Sequence, residues 1–243
     1  MVGVKEKKKV CWLSAGVSSF IAGYLAEGVD EFIYINVEDQ HPDSMRFIKD
    51  CEQFLEKPVT ILKSTYGSVE RVVKQFRYIN GVYGARCTQV LKKRVRKEWE
   101  DKNKEYDITY VWGFDLEEQH RAEQLLESMP EFNHEFPLID KMLTKEDAHA
   151  ILDRLGILRP AMYDMGYQNN NCIGCVKGGM GYWNKIRKDF PEVFERRAKL
   201  EREIGHSCIK GVFLDELDPE RGRMEDEIMQ DCGIMCYLAM PEK

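Results

Sequence analysis

Two close pairs of cysteines are the residues whose types and spacing most clearly suggest chemistry. Cys172 and Cys175 form a CxxC pair in "NNNCIGCVKGG", and Cys232 and Cys236 form a second pair in "CGIMC". Four thiolates in two such pairs suit a tetrahedral zinc ion or an iron–sulfur cluster. Cys87, in "GARCTQ", is a fifth candidate, because a thiolate is stabilised near the start of a helix. The alternative is a set of ordinary thiols, some of them buried.

The segment "SAGVSS", residues 14–19, has the composition of an anion-binding turn. Small residues let the backbone approach a ligand closely, and a helix that begins here presents N–H groups and its positive dipole end to an oxyanion. The segment matches neither the Walker A motif nor the GxGxxG fingerprint. A phosphate cradle and an ordinary tight turn with a serine cap are both open.

Charged side chains follow a strand-like run that ends at Gly113 in "ITYVWGFDLEEQHR". These side chains are Asp115, Glu118, His120 and Arg121. His41 follows the run "EFIYINVE" in a similar way. Ligands of open parallel sheets bind at the carboxyl ends of the strands, so these positions suit ligand contacts. The alternative is a helix cap followed by surface charges.

Apolar runs of strand length alternate with amphipathic stretches of helical length through the first half of the chain. Leu91, Val95 and Trp99, for example, lie in line at four-residue steps. The alternation predicts an α/β fold, a Rossmann-like parallel sheet with helices on both faces. We expect this domain to span residues 1–160, and a Cys-rich extension, residues 161–243, to pack on it.

Composition narrows the class of protein. The chain has 243 residues, eight cysteines and a net charge of −6. No apolar run approaches the roughly 18 to 20 residues that span a membrane, so we expect a soluble, cytoplasmic protein in which the cysteines form no disulfide framework. The net charge does not favour nucleic acid, although a local basic patch for it remains open. The basic segment 92–97 is expected to be mostly a solvated helix face, with Lys92, close to Cys87, as the exception.

Several motifs, taken together and in order, resemble the phosphoadenosine phosphosulfate (PAPS) reductase-like family of the PP-loop, or adenine nucleotide alpha hydrolase, superfamily. "SAGVSS" is similar to the PP-loop SGGxDS, and "CTQVLKK" to the CTxxLK element. "GFDLEEQHRAEQL" resembles the G-x-x-x-x-E-x-x-R segment, and "DCGIMC" partly resembles the ECG(L/I)H tail. The stretch "YQNNNCIGCVKGGMGYWNKIRKDFPEVFERRA" resembles a branch found in phage and bacterial genomes.

This resemblance implies a role for each matching residue. The implied nucleotide-binding residues are Ser14, Gly16, Ser18, Ser19, Glu38, His41, Lys92, Gly113, Glu118, Arg121 and Lys177. The implied ligands of a [4Fe–4S] cluster, or alternatively of zinc, are Cys87, Cys172 and Cys175, and either Cys236 or Cys232 could supply the fourth. Cys232 matches the tail nucleophile, which attacks sulfur to give an enzyme thiosulfonate that a thiol resolves.

Three departures from the family pattern bear on function. Ser18 replaces the aspartate associated with cleavage of ATP. Cys87 follows Arg86, where cluster-bearing reductases have a second cysteine, and Met235 replaces the histidine of the tail. The candidates for the four ligand positions are thus five cysteines: Cys87, Cys172, Cys175, Cys232 and Cys236.

Three functions remain open on these grounds. The first is thiol-dependent reduction of an adenine sulfonucleotide, with a thioredoxin-like reductant. The second is an ATP-dependent adenylylating sulfur transferase of the nucleic-acid thiolation or phosphorothioation type. The third is a non-catalytic, zinc-stabilised nucleotide-binding module, in which every clustered cysteine is structural.

Overall fold

The computed structural model of the protein describes residues 5–81 and 84–226. Within this part of the chain, one sheet of five parallel strands has the order β3-β2-β1-β4-β5. The strands are β1 (Glu6–Leu13), β2 (Glu31–Asn36), β3 (Val59–Lys63), β4 (Tyr106–Val111) and β5 (Asn133–Glu135). The predicted α/β fold with a parallel sheet is confirmed.

Helices connect the strands and continue after them. The first six are α1 (Val17–Leu25), α2 (Asp43–Leu55), α3 (Val69–Phe76), α4 (Arg86–Thr88), α5 (Arg94–Lys102) and α6 (Gln119–Ser128). The later ones are α7 (Pro137–Asp140), α8 (Lys145–Arg154), α9 (Ala161–Asp164), α10 (Met180–Asp189) and α11 (Pro191–Ile204). A π-helical segment, Gln89–Lys93, joins α4 to α5, and a 3-10 turn, Leu116–Glu118, leads into α6. No helix in the described ranges is long and apolar enough to cross a membrane.

Side chains alternate between the two faces of the sheet along each strand, and helices bury both faces. On β1, Cys11 and Leu13 join a cluster with α1, α2 and α8, whereas Val10 and Trp12 join a second cluster with α5 and α6. Cys11 is fully buried and burial raises the pKa of its thiol, as expected for a core cysteine.

Residues at the helix ends start and stop the helices as their residue types favour. Thr144 caps α8 in a capping box with Asp147, each side chain accepting from the other residue's backbone N–H. Pro191 occupies the first turn of α11, and Gly205 ends that helix in the left-handed conformation.

Two parts of the sequence fold differently from expectation. Ser18 and Ser19 lie inside α1, which begins at Val17 with Gly16 at its N-cap, so the turn itself is only residues 14–16. Residues 169–186 fit no helix pattern, yet α10 begins at Met180. The glycine-rich loop, expected to be Lys177–Gly181, therefore ends at Gly179, two residues earlier.

Residues 161–226 share their core with elements of the α/β body. Met162, Tyr167 and Trp183 belong to a third buried cluster that also contains Val69 and Val72 of α3. Close backbone approaches lock this region together. A Cβ on Gly181 would lie 2.3 Å from the carbonyl carbon of Arg223.

Candidate functional site

The sheet topology places two loops side by side. β1 pairs with β2 on one edge and with β4 on the other, so the direction of winding reverses between β1 and β4. The loops that leave the carboxyl ends of β1 and β4 therefore flank a crevice, the position at which open parallel sheets bind ligands. Both sequence segments singled out for anion binding and ligand contacts follow these two strands.

The turn that leaves β1 is held by its own serines. Ser14 Oγ accepts from the backbone N–H of Gly16 at 3.2 Å, and Ser19 Oγ accepts from the backbone N–H of Ser14 at 2.9 Å. Ser19 Oγ also donates to the carbonyl oxygen of Gly16 at 2.9 Å. Ala15 between them has φ 61°, a left-handed conformation that is unfavourable for a residue with a Cβ. The buried hydroxyl of Ser19 thus shapes the turn.

Gly113 brings the loop after β4 against the start of α1. A Cβ at this position would lie 2.4 Å from Ser19 Cα and 2.6 Å from Ser19 N. Both atoms are backbone and cannot rotate away. The predicted site residue Gly113 therefore permits close contact between the two loops that flank the crevice.

A cavity of about 730 Å³ opens along the loop after β4 and the start of α8. Its lining residues are Asp115, Glu117, Glu118, His120, Arg121, Lys145, Glu146, His149, Arg159, Tyr163, Tyr167, Gln168 and Asn169. Arg121 is buried, forms an ion pair with Glu118 and lies 4.6 Å from the centroid of the Phe114 ring. Burial raises the pKa of Asp115, and the charge of Lys145 opposes that shift. The cavity has the size of a small-molecule site.

Tyr163 connects this cavity to the turn after β1. Its hydroxyl accepts from the backbone N–H of Val17, the first residue of α1, at 3.4 Å. Its ring packs edge-on against the imidazole of His149, with 4.7 Å between the ring centroids. The crevice and the N-terminus of α1 therefore share one wall.

His149 provides a pH-dependent contribution to stability. Burial, and then the charges of Lys145 and Arg159, lower the pKa of His149 in the folded protein. The unfolded chain binds a proton at this side chain near pH 6.5, so the free energy of unfolding falls as pH decreases below that value. We expect His149→Gln to make urea stability less sensitive to acid between pH 7.5 and 5.5. His120→Gln, at an exposed histidine, is the matched control. If the unfolding free energy of H149Q changes with pH as steeply as that of wild type, the prediction is contradicted.

The CxxC turn packs against the loop that follows β2. Cys172 forms an antiparallel bridge with Gln40, and the backbone N–H of Ile173 donates to the carbonyl oxygen of Asp39 at 2.8 Å. Cys172 and Cys175 are both buried. Gly174 between them has φ 70°, which a glycine adopts without strain.

The hydroxyl of Tyr182, on α10, bridges the two ends of the CxxC turn. It accepts from the backbone N–H of Cys175 at 2.9 Å and donates to the carbonyl oxygen of Cys172 at 3.1 Å. Burial raises the pKa of Tyr182 well above its ordinary value, so the hydroxyl keeps its proton. The helix that sequence reasoning missed thus fixes the geometry of the cysteine pair.

Replacing Tyr182 with phenylalanine removes both hydrogen bonds and leaves two buried backbone groups without this partner. At about 1 kcal/mol for each bond, we expect the free energy of unfolding to fall by about 2 kcal/mol. Local opening of the turn should also speed alkylation of Cys172 and Cys175, measured by peptide mass spectrometry. Tyr167→Phe, which loses a hydroxyl bonded to Asp189, is the control. Alkylation at the wild-type rate in Y182F would contradict a clamping role.

The adjoining asparagines tie the cysteine segment to the turn after β1. Asn170 Nδ2 donates to the carbonyl oxygen of Ala15 at 2.8 Å and to Ser44 Oγ at 2.9 Å. The Nζ of Lys145 donates to Asn169 Oδ1. The cysteine segment, the anion-binding candidate turn and the crevice therefore form one connected region.

Lys92 is buried, as expected for the exceptional member of the basic segment. It lies in the π-helical segment, a feature often found at functional sites. Burial raises the pKa of Tyr34, the charge of Lys92 opposes the shift, and Cys172 adds to it. Arg96 departs from the expected solvated face: it is buried and donates to Met129 Sδ at 2.8 Å.

The predicted metal ligands are partly brought together. Cys87 packs against the same buried cluster that contains Cys172 and Cys175. Within residues 5–81 and 84–226, however, no three histidine, cysteine, aspartate or glutamate side chains are grouped so as to hold a metal ion. Cys232 and Cys236 lie outside the described residues. The metal centre and the catalytic thiol stay predictions.

The remaining predicted nucleotide-binding residues are dispersed around this region. His41 Nδ1 accepts from the backbone N–H of Asp43 at the start of α2. Glu38 is exposed, pairs with Arg71 at 3.0 Å and lines a different cavity from Glu118 and Arg121. Their binding roles, and that of the half-buried Lys177, stay predictions.

Sequence reasoning missed several residues that line the crevice. They are Lys145, His149, Arg159, Tyr163 and Asn169. They come from α8 and the segments after it, and the sequence predicts no binding role for any of them, although Asn169 lies in the quoted stretch "YQNNNC". Thr144, a preferred N-cap residue type, indicates where that helix begins.

No protein-family model and no curated protein matches the sequence. Among solved structures, the chain is similar to phosphoadenylyl-sulfate (PAPS) reductase from Candida auris, determined as a phosphate complex. The similarity covers 70% of this chain and 82% of that one, with 11% sequence identity and a TM-score of 0.47. At this level of similarity, function has to be argued from the residues of the chain itself.

Proposed function

We propose that the protein binds an adenine nucleotide in the crevice between β1 and β4, with a phosphate or sulfate group on the turn that enters α1. The observation that carries this proposal is the position of that turn. It lies at the topological switch point of an open parallel sheet, beside a cavity of nucleotide size lined by Arg121 and Lys145. The PP-loop-like motif of the sequence falls on the same turn.

Local electrostatics support an anionic ligand. α1 has nine residues, so its N-terminus carries the partial positive charge of a helix dipole. The first N–H of α1, on Val17, has a long 3.4 Å contact to the Tyr163 hydroxyl, which a ligand oxygen can replace. An oxyanion there would accept from backbone donors and lie close to the cations of the crevice.

We further propose thiol-dependent reduction of a sulfonucleotide, or related sulfur chemistry, as the reaction. The Cys232 thiolate attacks the sulfur of the sulfate group. A sulfur–sulfur bond forms, the bond from sulfur to the phosphate oxygen breaks, and its electron pair leaves with the nucleotide. A thiolate of a thioredoxin-like reductant then attacks Cys232 Sγ and releases sulfite, and its second thiol resolves the mixed disulfide. Two reductant thiols supply the two electrons.

Isothermal titration with PAPS, ATP and AMP tests the binding site. Gly16 has φ −101°, which any residue adopts, but it is buried, so circular dichroism first establishes that Gly16→Trp is folded before its side chain is used to block the turn. We expect G16W to lose nucleotide binding and Glu27→Trp, beyond the far end of the same helix, to keep it. Equal affinity in G16W and wild type would exclude this turn as the site.

Mass spectrometry of the protein after incubation with PAPS, without reductant, tests the reaction. We expect a sulfonate adduct on Cys232 that is absent in Cys232→Ser, although C232S still binds nucleotide. Nucleotide binding without an adduct would remove the reductase step. Release of AMP from ATP in the presence of a sulfur acceptor would then favour the sulfur transferase.

A further inference from the structure

A second cavity, of about 550 Å³, is lined in part by Ile173 of the CxxC turn. We call it the Arg197 cavity. Its lining residues are Glu38, Asp39, Gln40, Pro42, Ser68, Glu70, Arg71, Lys74, Ile173, Val193, Arg196, Arg197 and Leu200. It shares none of these residues with the crevice. The loop after β2, α3, the CxxC turn and α11 each contribute to its walls.

Arg197 is the unusual group in this cavity. Its side chain is only 5% exposed, and its Nε has no hydrogen-bond partner among the described residues. Within residues 5–81 and 84–226, its ion pair runs from Nη2 to Asp39 Oδ1 and is long at 3.4 Å. The other oxygen of that carboxylate accepts from the backbone N–H of Val69 at 2.7 Å. A buried guanidinium with an unused donor has a strong preference for an additional acceptor.

The other charges leave room for an anion. Four basic side chains and three acidic ones line the cavity. Glu70 pairs with Lys74 at 2.8 Å, and Glu38 pairs with Arg71 in an exposed contact that contributes little to stability. Lys74, and more weakly Arg197 and Arg196, lower the pKa of Glu70, so the field of both arginines reaches across the cavity.

We propose that the Arg197 cavity binds the phosphate or sulfate group of a second small molecule, distinct from the nucleotide in the crevice. Arg197 receives the oxyanion through Nε and an Nη atom, the paired geometry that guanidinium offers to such groups. Arg196 and Arg71 supply further charge at the exposed side. Apolar side chains of Ile173, Val193 and Leu200 leave space for the organic part of the ligand.

Asp39 connects the Arg197 cavity to the CxxC turn. Asp39, the partner of Arg197, also accepts through its carbonyl oxygen from the N–H of Ile173, between Cys172 and Cys175. An oxyanion that competes for Arg197 loosens its contact with Asp39. The occupant of the Arg197 cavity thereby acts on the loop that anchors the CxxC turn.

The Nε–H signal of Arg197 in a proton–nitrogen NMR spectrum reports directly on this atom. The signal is assigned by its loss in Arg197→Lys, which keeps the charge but lacks the fork. Titration with inorganic phosphate at constant ionic strength should shift the signal saturably. Arg196→Gln should weaken this binding about tenfold, in line with loss of one charge-assisted contact. Arg202→Gln, which removes the same charge from the same helix outside the cavity, should not.

The G16W variant, in which the turn entering α1 is blocked, distinguishes binding in the Arg197 cavity from binding in the crevice. Saturable shifts of the Arg197 signal in G16W support the Arg197 cavity whether or not the nucleotide site is real. If the Arg197 Nε–H signal does not shift at phosphate concentrations at which other signals have reached saturation, the inference is overturned. The nucleotide proposal then stays intact. Equal shifts with sodium chloride alone also overturn it, because they reflect ionic strength.

Discussion

Replacing Gly113 with alanine is expected to lower the free energy of unfolding by about 3 kcal/mol, the upper part of the range for an overpacked core. The added Cβ would lie 2.4 Å from Ser19 Cα, and both contacting segments are backbone. Relief requires the loop after β4 to move away from α1. That movement also distorts the turn whose shape depends on Ser19, so nucleotide affinity should fall with stability.

Urea denaturation followed by circular dichroism measures the first effect, and nucleotide titration of the folded fraction measures the second. Gly81→Ala is the matched control, because a Cβ there meets only the hydroxyl end of Tyr78 at 2.6 Å, and that side chain can rotate. An unfolding curve for G113A that overlays wild type would show that the two loops do not need their present contact.

The sequence predicts the parts of the fold that repeat a strong local signal. Buried strands of the α/β body, the in-line Leu91, Val95 and Trp99, and the capping box at Thr144 all follow from periodicity or from short-range hydrogen bonds. β5 (Asn133–Glu135) escapes prediction because it has three polar residues at the edge of the sheet. Its strand identity comes from pairing with Thr109–Val111 on β4.

The candidate site is less predictable, because long-range contacts determine its shape. The motif at residues 14–16 indicates where an anion could bind, but the hydrogen bonds that hold Ala15 come partly from Asn170, 155 positions away. The cysteine pair can be recognised in the sequence. Tyr182, whose hydroxyl bonds to the CxxC turn, belongs to a helix that begins directly after a glycine-rich loop and has no recognisable pattern. Those glycines are needed for close packing, as at Gly181.

Replacing Asn170 with alanine is expected to be the most informative change at this site. Asn170 is 3% exposed and donates to both the carbonyl oxygen of Ala15 and Ser44 Oγ. The alanine variant leaves these two acceptors without their donor, which should cost about 3 kcal/mol of unfolding free energy. The exposed Asn133→Ala, which loses one contact to Asp107, should cost far less.

The same variant tests whether Asn170 positions the anion-binding turn. Ala15 is held at φ 61°, a conformation that costs on the order of 1 kcal/mol for a non-glycine residue. Without the Asn170 contact, the turn should relax, and nucleotide affinity should fall at least about tenfold even where the protein is fully folded. Adding Ala15→Gly, which adopts this conformation freely, should then restore part of the affinity of N170A. If N170A loses stability but binds nucleotide normally, Asn170 is a packing residue and the turn holds its shape by its own serines.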